Sequence, residues 1–462
     1  MNTFKIISPV DNKVYKECQL HGSTDIENAL VKAKRAQKIW SDISLTERKV
    51  YIEKFIKAFE GNKAEISKEL SWQMGRPIIY SPFEVDGTIS RAKGMLDLAE
   101  SSLSDVHVDK IQGFDRFIRR EPLGTVFVVP AWNYPYLIAI NTLVPALLAG
   151  NTIVLKHSAQ TPLVAERFAE AFREAGLPEG VFQYLHLNHE DTANVIRDKR
   201  IDFVSFTGSV KGGHHIQKVA AESFVGLGLE LGGKDPAYVC DDSNLDFYVE
   251  NLVDGAFFNS GQSCCGIERI YVKDYVFDRF VEAFVALTKK YKLGNPLHVD
   301  TNMGPVAKQG GAEYIKFQIE AAQKAGAKAL IDPALFPETQ MGHNYLAPQV
   351  LINVNHNMDV MTEESFGPVV GIMKVKSDEE ALSLMNDSAY GLTASIWTDD
   401  YEKALSLGNK IETGTWFMNR CDYLDPHLAW TGVKNTGRGC TLSSIGYEQL
   451  TRPKSFHLRT KI

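Results

Sequence analysis

Apolar positions recur at helical spacing through DIENALVKAKRAQKIW and again through RKVYIEKFIKAFEGNKAEISKELSWQM, so residues 25–75 are expected to form two helices. From about residue 123 the pattern changes. LGTVFVVPA, NTIVLKHS, VFQYLHL and DFVSFTG read as short buried strands. Between them YLIAINTLVPALLAG and TPLVAERFAEAFREAG read as helices, the second with Pro162 in its first turn and Gly176 past its end. A second alternation starts near 236: PAYVC, a helix at about 244–259, RIYVKD, a helix at about 276–290, then PVVGIMKV, LTASIWT and TWFMN with helices between them. Strands alternating with helices predict doubly wound, mostly parallel sheets, so the fold class is α/β with two units in series. Residues 104–122 and 450–460 alternate polar and apolar positions outside both units and are expected to pair with each other or with a partner chain.

Composition narrows the class of protein. The chain has 462 residues, 44% of them hydrophobic, and a formal net charge of −7. That size supports two or three domains with ample core. The mild acidity leaves no basic footprint for nucleic acid and no polybasic patch for an anionic membrane. No apolar run reaches 18 residues, so no transmembrane helix is expected. The opening MNTFKIISPVDNKVYKE carries charges throughout, so no secretory leader is expected and the cytoplasm is the expected compartment. No internal repeat or low-complexity segment interrupts the chain.

Six cysteines, at 18, 240, 264, 265, 421 and 440, show no framework spacing, which fits free thiols. Most such residues are small buried hydrophobes. The stretch 258-FNSGQSCCGIER-269 differs, because a glycine-containing turn after an apolar helix can present a thiol to a cleft. Adjacent cysteines make a poor metal site, and the adjacent His214 and His215 have no ligand at chelating distance in sequence, so no metal is expected. A nucleotide has one candidate seat. Phe206-Thr207-Gly208-Ser209 ends a strand and Val210-Lys211-Gly212-Gly213 opens a helix, an arrangement that lets backbone approach a pyrophosphate. The same residues are equally consistent with an ordinary strand-to-helix turn, and the GxGxxG fingerprint is absent.

Seven landmarks stand in order along nearly the whole chain: Trp132-Asn133-Tyr134-Pro135, Lys156, Phe206-Thr207-Gly208-Ser209, Glu230-Leu231-Gly232-Gly233-Lys234, Gly261-Gln262-Ser263-Cys264, Glu364-Ser365-Phe366-Gly367-Pro368 and Gly432-Val433-Lys434. Each alone is modest, but the ordered set resembles the aldehyde dehydrogenase superfamily, with a semialdehyde and small-aldehyde layout. The resemblance implies oxidation of an aldehyde to a carboxylic acid with NAD or NADP. It implies Cys264 as nucleophile, Asn133 as oxyanion donor and Glu230 as the base that activates water. It implies a cofactor held by Trp132, Lys156, Ala159, Phe206, Gly208, Ser209, Gly213, Leu231, Glu364 and Phe366. The implied substrate pocket comprises Tyr134, Ile138, Asn141, Ser263, Cys265, Leu424 and Trp430. The fold implied is a variant nucleotide-binding domain over 1–103 and 123–230, a catalytic domain over 231–449, and an oligomerisation element from 104–122 and 450–462, hence a homodimer or homotetramer.

This chain departs from the family pattern in several places. Ala131 replaces the usual Pro before Trp132, Thr142 stands where many members carry Lys, and Cys440 replaces a common Arg. Ala159 stands where NAD-selective members often carry Glu, so a 2′-phosphate would not be repelled there. Asn141 occupies a position where succinic semialdehyde enzymes often carry Arg, which counts against a distal carboxylate unless Arg420 or His427 substitutes. Two further readings share the fold: a CoA-acylating relative, which Glu230 argues against, and a non-catalytic scaffold, which the retention of Cys264, Asn133 and Glu230 argues against.

Overall fold

The structure is a computed structural model and describes residues 3–461. Its first large sheet has six strands, in the order Gly437–Arg438, Gly226–Glu230, Phe203–Thr207, Thr125–Val129, Thr152–Leu155 and Phe182–Tyr184. All pair in parallel except the short Gly437–Arg438 strand. The Thr125–Val129 and Thr152–Leu155 strands are buried at every position, which is why they read as continuous apolar runs instead of alternating. Chain order reverses between Thr125–Val129 and Phe203–Thr207, and a crevice opens at such a switch point, beyond the strands' carboxyl ends. Trp132-Asn133 follows one of these strands and Gly208-Ser209 the other.

A second sheet has seven strands, ordered Lys328–Ala329, Gln349–Ile352, Val369–Val375, Ile267–Lys273, Asp235–Val239, Thr393–Trp397 and Thr415–Met418. Only Lys328–Ala329 runs antiparallel. A third, antiparallel sheet joins Thr451–Arg459 to Phe114–Pro122, and that strand to Val106–His107. Two of the segments expected to be extended therefore pair with each other within the chain, from Thr451 opposite Pro122 to Arg459 opposite Phe114.

The helical start differs from expectation. Residues 25–75 form three helices, Ser23–Asp42, Leu45–Gly61 and Lys63–Met74. Asn62 both ends the second helix and starts the third, so a pattern that reads as one helix is broken at Gly61-Asn62. Among the elements not anticipated are a hairpin of Thr3–Ile7 and Val14–Gln19, the long helix Ser81–Leu103, the helix Gln309–Lys324 and the strand Gln349–Ile352. The Ser81–Leu103 helix packs on Pro135–Leu148, and the pair forms one wall of the site. Among the described residues, no helix is long and apolar enough to cross a membrane.

Candidate active site

Cys264 is delivered by a strained turn. After the helix Leu245–Phe257, Asn259 (φ 53°), Ser260 (φ 57°) and Gly261 (φ 69°) are all left-handed. A Cβ on Gly261 would lie 2.2 Å from the Gly367 carbonyl oxygen, so only glycine lets this turn touch the Glu364–Pro368 segment. On the other side a Cβ on Gly233 would lie 2.1 Å from the Cys264 carbonyl oxygen. The glycines of two separate motifs thus exist to bring three loops together at Cys264.

Asn133 is buried beside this turn, and its Nδ2 donates to the Gln262 carbonyl at 3.2 Å. Its own carbonyl accepts from Arg76 Nη2 (2.5 Å) and Asn259 Nδ2 (3.2 Å). Arg76 is buried, paired with Glu84, and donates through Nε to Asn259 Oδ1 at 3.2 Å. Glu84 in turn accepts the Tyr136 amide at 2.8 Å. Arg76, Glu84 and Asn259 form a lattice that fixes Asn133, and sequence reasoning missed all three because their partners lie 8 to 183 residues away in the chain.

The two adjacent thiols differ sharply. Cys265 is buried, and its Sγ–H donates to Asp422 Oδ1 at 2.9 Å, an acceptor shared with Ser263 Oγ at 3.0 Å. A hydrogen bond with Cys264, reinforced by burial, pushes the Cys265 thiol well above its ordinary range. Cys264 is half-buried and borders open space on two sides. Glu230, which lines the same cavity as Cys264, ends the strand Gly226–Glu230; its carboxylate accepts from Thr441 Oγ1 and, at 3.3 Å, from Thr207 Oγ1. Burial raises the Glu230 carboxyl above the ordinary range, with the two hydroxyls and the Arg91 charge opposing that rise.

On one side of Cys264 lies a cleft of about 390 Å³. Trp132, Lys156, Phe206, Gly208, Ser209, Leu231, Glu364 and Phe366 line it, with Lys308 in addition. Ser209 caps the helix Val210–Ala220 by accepting the Gly212 amide at 3.2 Å. Trp132 and Phe366 meet edge to face at 5.5 Å, and the Lys308 ammonium lies 5.3 Å from the Trp132 ring. Glu364 accepts the Gly233 amide at 3.0 Å, and burial followed by the nearby Glu268 charge pushes its carboxyl up to about 8. Glu268 also holds the Ser365 and Phe366 amides and is paired with the buried Lys234 at 2.5 Å, so the turn carrying Phe366 (φ 52°) is organised from below. Among the described residues neither Lys156 nor Lys308 is paired with a carboxylate; burial, with Lys308 adding to it, lowers Lys156 to about 8. Two unpaired ammonium groups, a capped helix N-terminus and one carboxyl are a donor set that fits a dinucleotide.

Two residues expected here lie elsewhere. Ala159 is exposed and does not line the cleft. Gly213 is one layer behind it: a Cβ there would lie 2.6 Å from the Leu231 methyl groups, so Gly213 seats Leu231 and does not itself border the cleft.

On the other side of Cys264 lies a second cavity of about 420 Å³. Tyr134, Ile138, Asn141, Ser263, Cys265, Leu424 and Trp430 all line it, together with Glu230. Cys264, Thr207 and Leu231 border both spaces. Arg420 and His427 do not line the cavity: the Arg420 guanidinium stacks on Tyr423 at 3.4 Å, and His427 points to Asp425. Arg91, from the Ser81–Leu103 helix, does line it. His214 and His215 are exposed on a helix, and among the described residues no cluster of ligands could hold a metal ion.

The model of the aldehyde dehydrogenase family matches residues 1–456. The chain is 32% identical to succinate semialdehyde dehydrogenase [NAD(P)+] Sad of Escherichia coli, over 96% of this chain and 95% of that protein. It is 32% identical to betaine aldehyde dehydrogenase of Bacillus subtilis, over 99% and 94%. Its structure superposes on betaine aldehyde dehydrogenase of Staphylococcus aureus in complex with NAD+ with a TM-score of 0.94 and 30% identity, covering 100% of this chain and 92% of that one. The chain belongs to the aldehyde dehydrogenase family. It is an NAD(P)-dependent enzyme that oxidises an aldehyde.

Proposed function

We propose that Cys264 attacks the aldehyde carbon to form a thiohemiacetal, and that Asn133 Nδ2 and the Cys264 backbone N–H receive the developing oxyanion. One such donor contributes about 3–4 kcal/mol to the barrier. Bound nicotinamide dinucleotide supplies the hydride acceptor for the oxidation to a thioester. Trp132, Lys156, Gly208, Ser209, Glu364 and Phe366 hold that cofactor. Glu230, kept partly desolvated and oriented by Thr207 and Thr441, then takes a proton from water as it attacks the thioester and frees the acid. Cys265 stays a neutral thiol, committed to Asp422.

The observation that carries this reading is the position of Cys264 on both the cleft and the cavity, with Glu230 lining the same cavity. Residues 1–103 and 123–230 serve as cofactor-binding domain and 231–449 as catalytic domain. Residues 104–122 and 450–462 serve as an oligomerisation element in a homodimer or homotetramer, and the enzyme works in the cytoplasm. The test is turnover of an aldehyde panel with NAD or NADP, with Cys264→Ala as control. Formation of reduced cofactor that disappears in the variant supports the assignment; turnover that survives it rejects Cys264.

A further inference from the structure

We infer that Arg91 makes this cavity a receptor for aldehydes that carry a carboxylate remote from the carbonyl. The inference rests on the reading of Cys264 as nucleophile and adds the class of substrate. Arg91 sits on the Ser81–Leu103 helix, and its side chain reaches across to the Pro135–Leu148 helix. Nη1 carries both of its hydrogen bonds, to the Leu137 carbonyl at 3.0 Å and to Asn141 Oδ1 at 3.2 Å. Nε and Nη2 have no acceptor among the described residues and are not sealed from solvent, and Arg91 lines the cavity. No carboxylate among the described residues lies within 4.0 Å of the guanidinium.

Asn141 therefore does not remove the cation from this region. It accepts from a cation placed on the neighbouring helix and helps to hold it at the cavity wall. Arginine stays charged here, since burial lowers it only to about 10. A half-buried guanidinium with two unused donors is a poor resting state, and a carboxylate is its natural complement, binding through paired charge-assisted bonds.

The cavity also holds acids, and each is accounted for. Asp422 Oδ1 is occupied by the Ser263 and Cys265 donors. Glu230 is tied to Thr207 and Thr441. Asp254 lies with Asn251 where the cavity adjoins a neighbouring surface groove, and burial pushes its carboxyl up to about 6. Arg76, the other buried cation nearby, is spent on Glu84, Asn133 and Asn259. Arg91 is the cavity cation with donors to spare.

The experiment compares kcat/KM for succinic or glutaric semialdehyde with kcat/KM for the corresponding methyl ester. The two differ in charge and little in size. The wild-type enzyme should favour the acid by about 30-fold or more. Arg91→Gln should bring the ratio close to one, and Arg91→Lys should keep part of it. Because the ratio is taken within each variant, a general loss of folded enzyme cancels. A turnover-independent arm uses succinate, which should protect Cys264 from iodoacetamide in the wild type and much less in Arg91→Gln. No acid preference in the wild type, an unchanged ratio in Arg91→Gln, or a preference for a trimethylammonium aldehyde would overturn the inference. Turnover of neutral aldehydes through Cys264 would still stand in that case, so the two readings fail separately.

Discussion

The cleft on the Phe206 side of Cys264 is shaped largely by backbone turns, whereas the cavity on the Asn141 side is shaped largely by side chains from two helices and a loop. The cleft takes its form from Gly208, the capped start of Val210–Ala220, and the turn at Phe366. Its charge is two ammonium groups against one carboxyl held neutral up to about 8. The cavity sets one guanidinium against the carboxyls of Glu230, Asp254 and Asp422. Backbone-built surface suits a ligand whose recognition is shared by many enzymes, because glycines and amides tolerate little change. Side-chain-built surface can be re-specified one residue at a time. Cys264, Thr207 and Leu231 are where the two meet.

The sharpest way to break this comparison is at the junction. Cys264→Ala should lower turnover by about 10³-fold or more while nucleotide binding, followed by tryptophan fluorescence, is retained. Cys265→Ser should fall far short of that loss, since its thiol is a hydrogen-bond donor to Asp422 that a hydroxyl replaces. Glu230→Gln should still release one equivalent of reduced cofactor per site in a rapid-mixing experiment, then stall, with steady-state turnover reduced by about 10²–10⁴-fold. In the wild type the thioester step needs the Glu230 carboxylate, and its pKa is raised. Steady-state rates limited by that step should therefore rise with pH through a midpoint above the ordinary glutamate range.

Asn133→Ala should cost about 10²–10³-fold in kcat, with a smaller effect on KM for the cofactor, because the donor acts on the oxyanion. The smallest effect is on the cleft side. Lys156 titrates near 8, so a phosphate that depends on its charge should bind less well as pH rises through 8. KM for NADP should then climb more steeply than KM for NAD, and Lys156→Met should flatten the difference. Equal slopes would remove Lys156 from adenosine-side recognition.

How much of this was legible in the sequence depends on where each residue's partners lie. Most strands of both large sheets and many helices between them follow from local periodicity, although Lys328–Ala329, Gln349–Ile352 and Gly437–Arg438 do not, and the seven cavity residues follow from the family resemblance. The Ser81–Leu103 helix was hidden because its buried face includes Ser81, Glu84, Thr88 and Ser102 as well as apolar residues, which erases the amphipathic stripe. Arg91 was missed with it. The first hairpin is short and mostly exposed, so alternation had little to act on. The break at Gly61-Asn62 was in plain view as a glycine followed by a capping residue, but a continuous apolar rhythm across it dominated the reading. The supports of the site, Arg76 with Glu84 and Lys234 with Glu268, are long-range or buried pairs that no local pattern marks. Ala159 and Gly213 stand apart from the residues that line the cleft, one exposed and the other packed behind Leu231.

The most direct measurement is mass spectrometry of Glu230→Gln enzyme quenched in acid after a single turnover with aldehyde and cofactor. The account predicts one acyl group per chain, localised by fragmentation to Cys264. An acyl group on Cys265, or stoichiometric reduced cofactor with no acyl-enzyme at all, would contradict it.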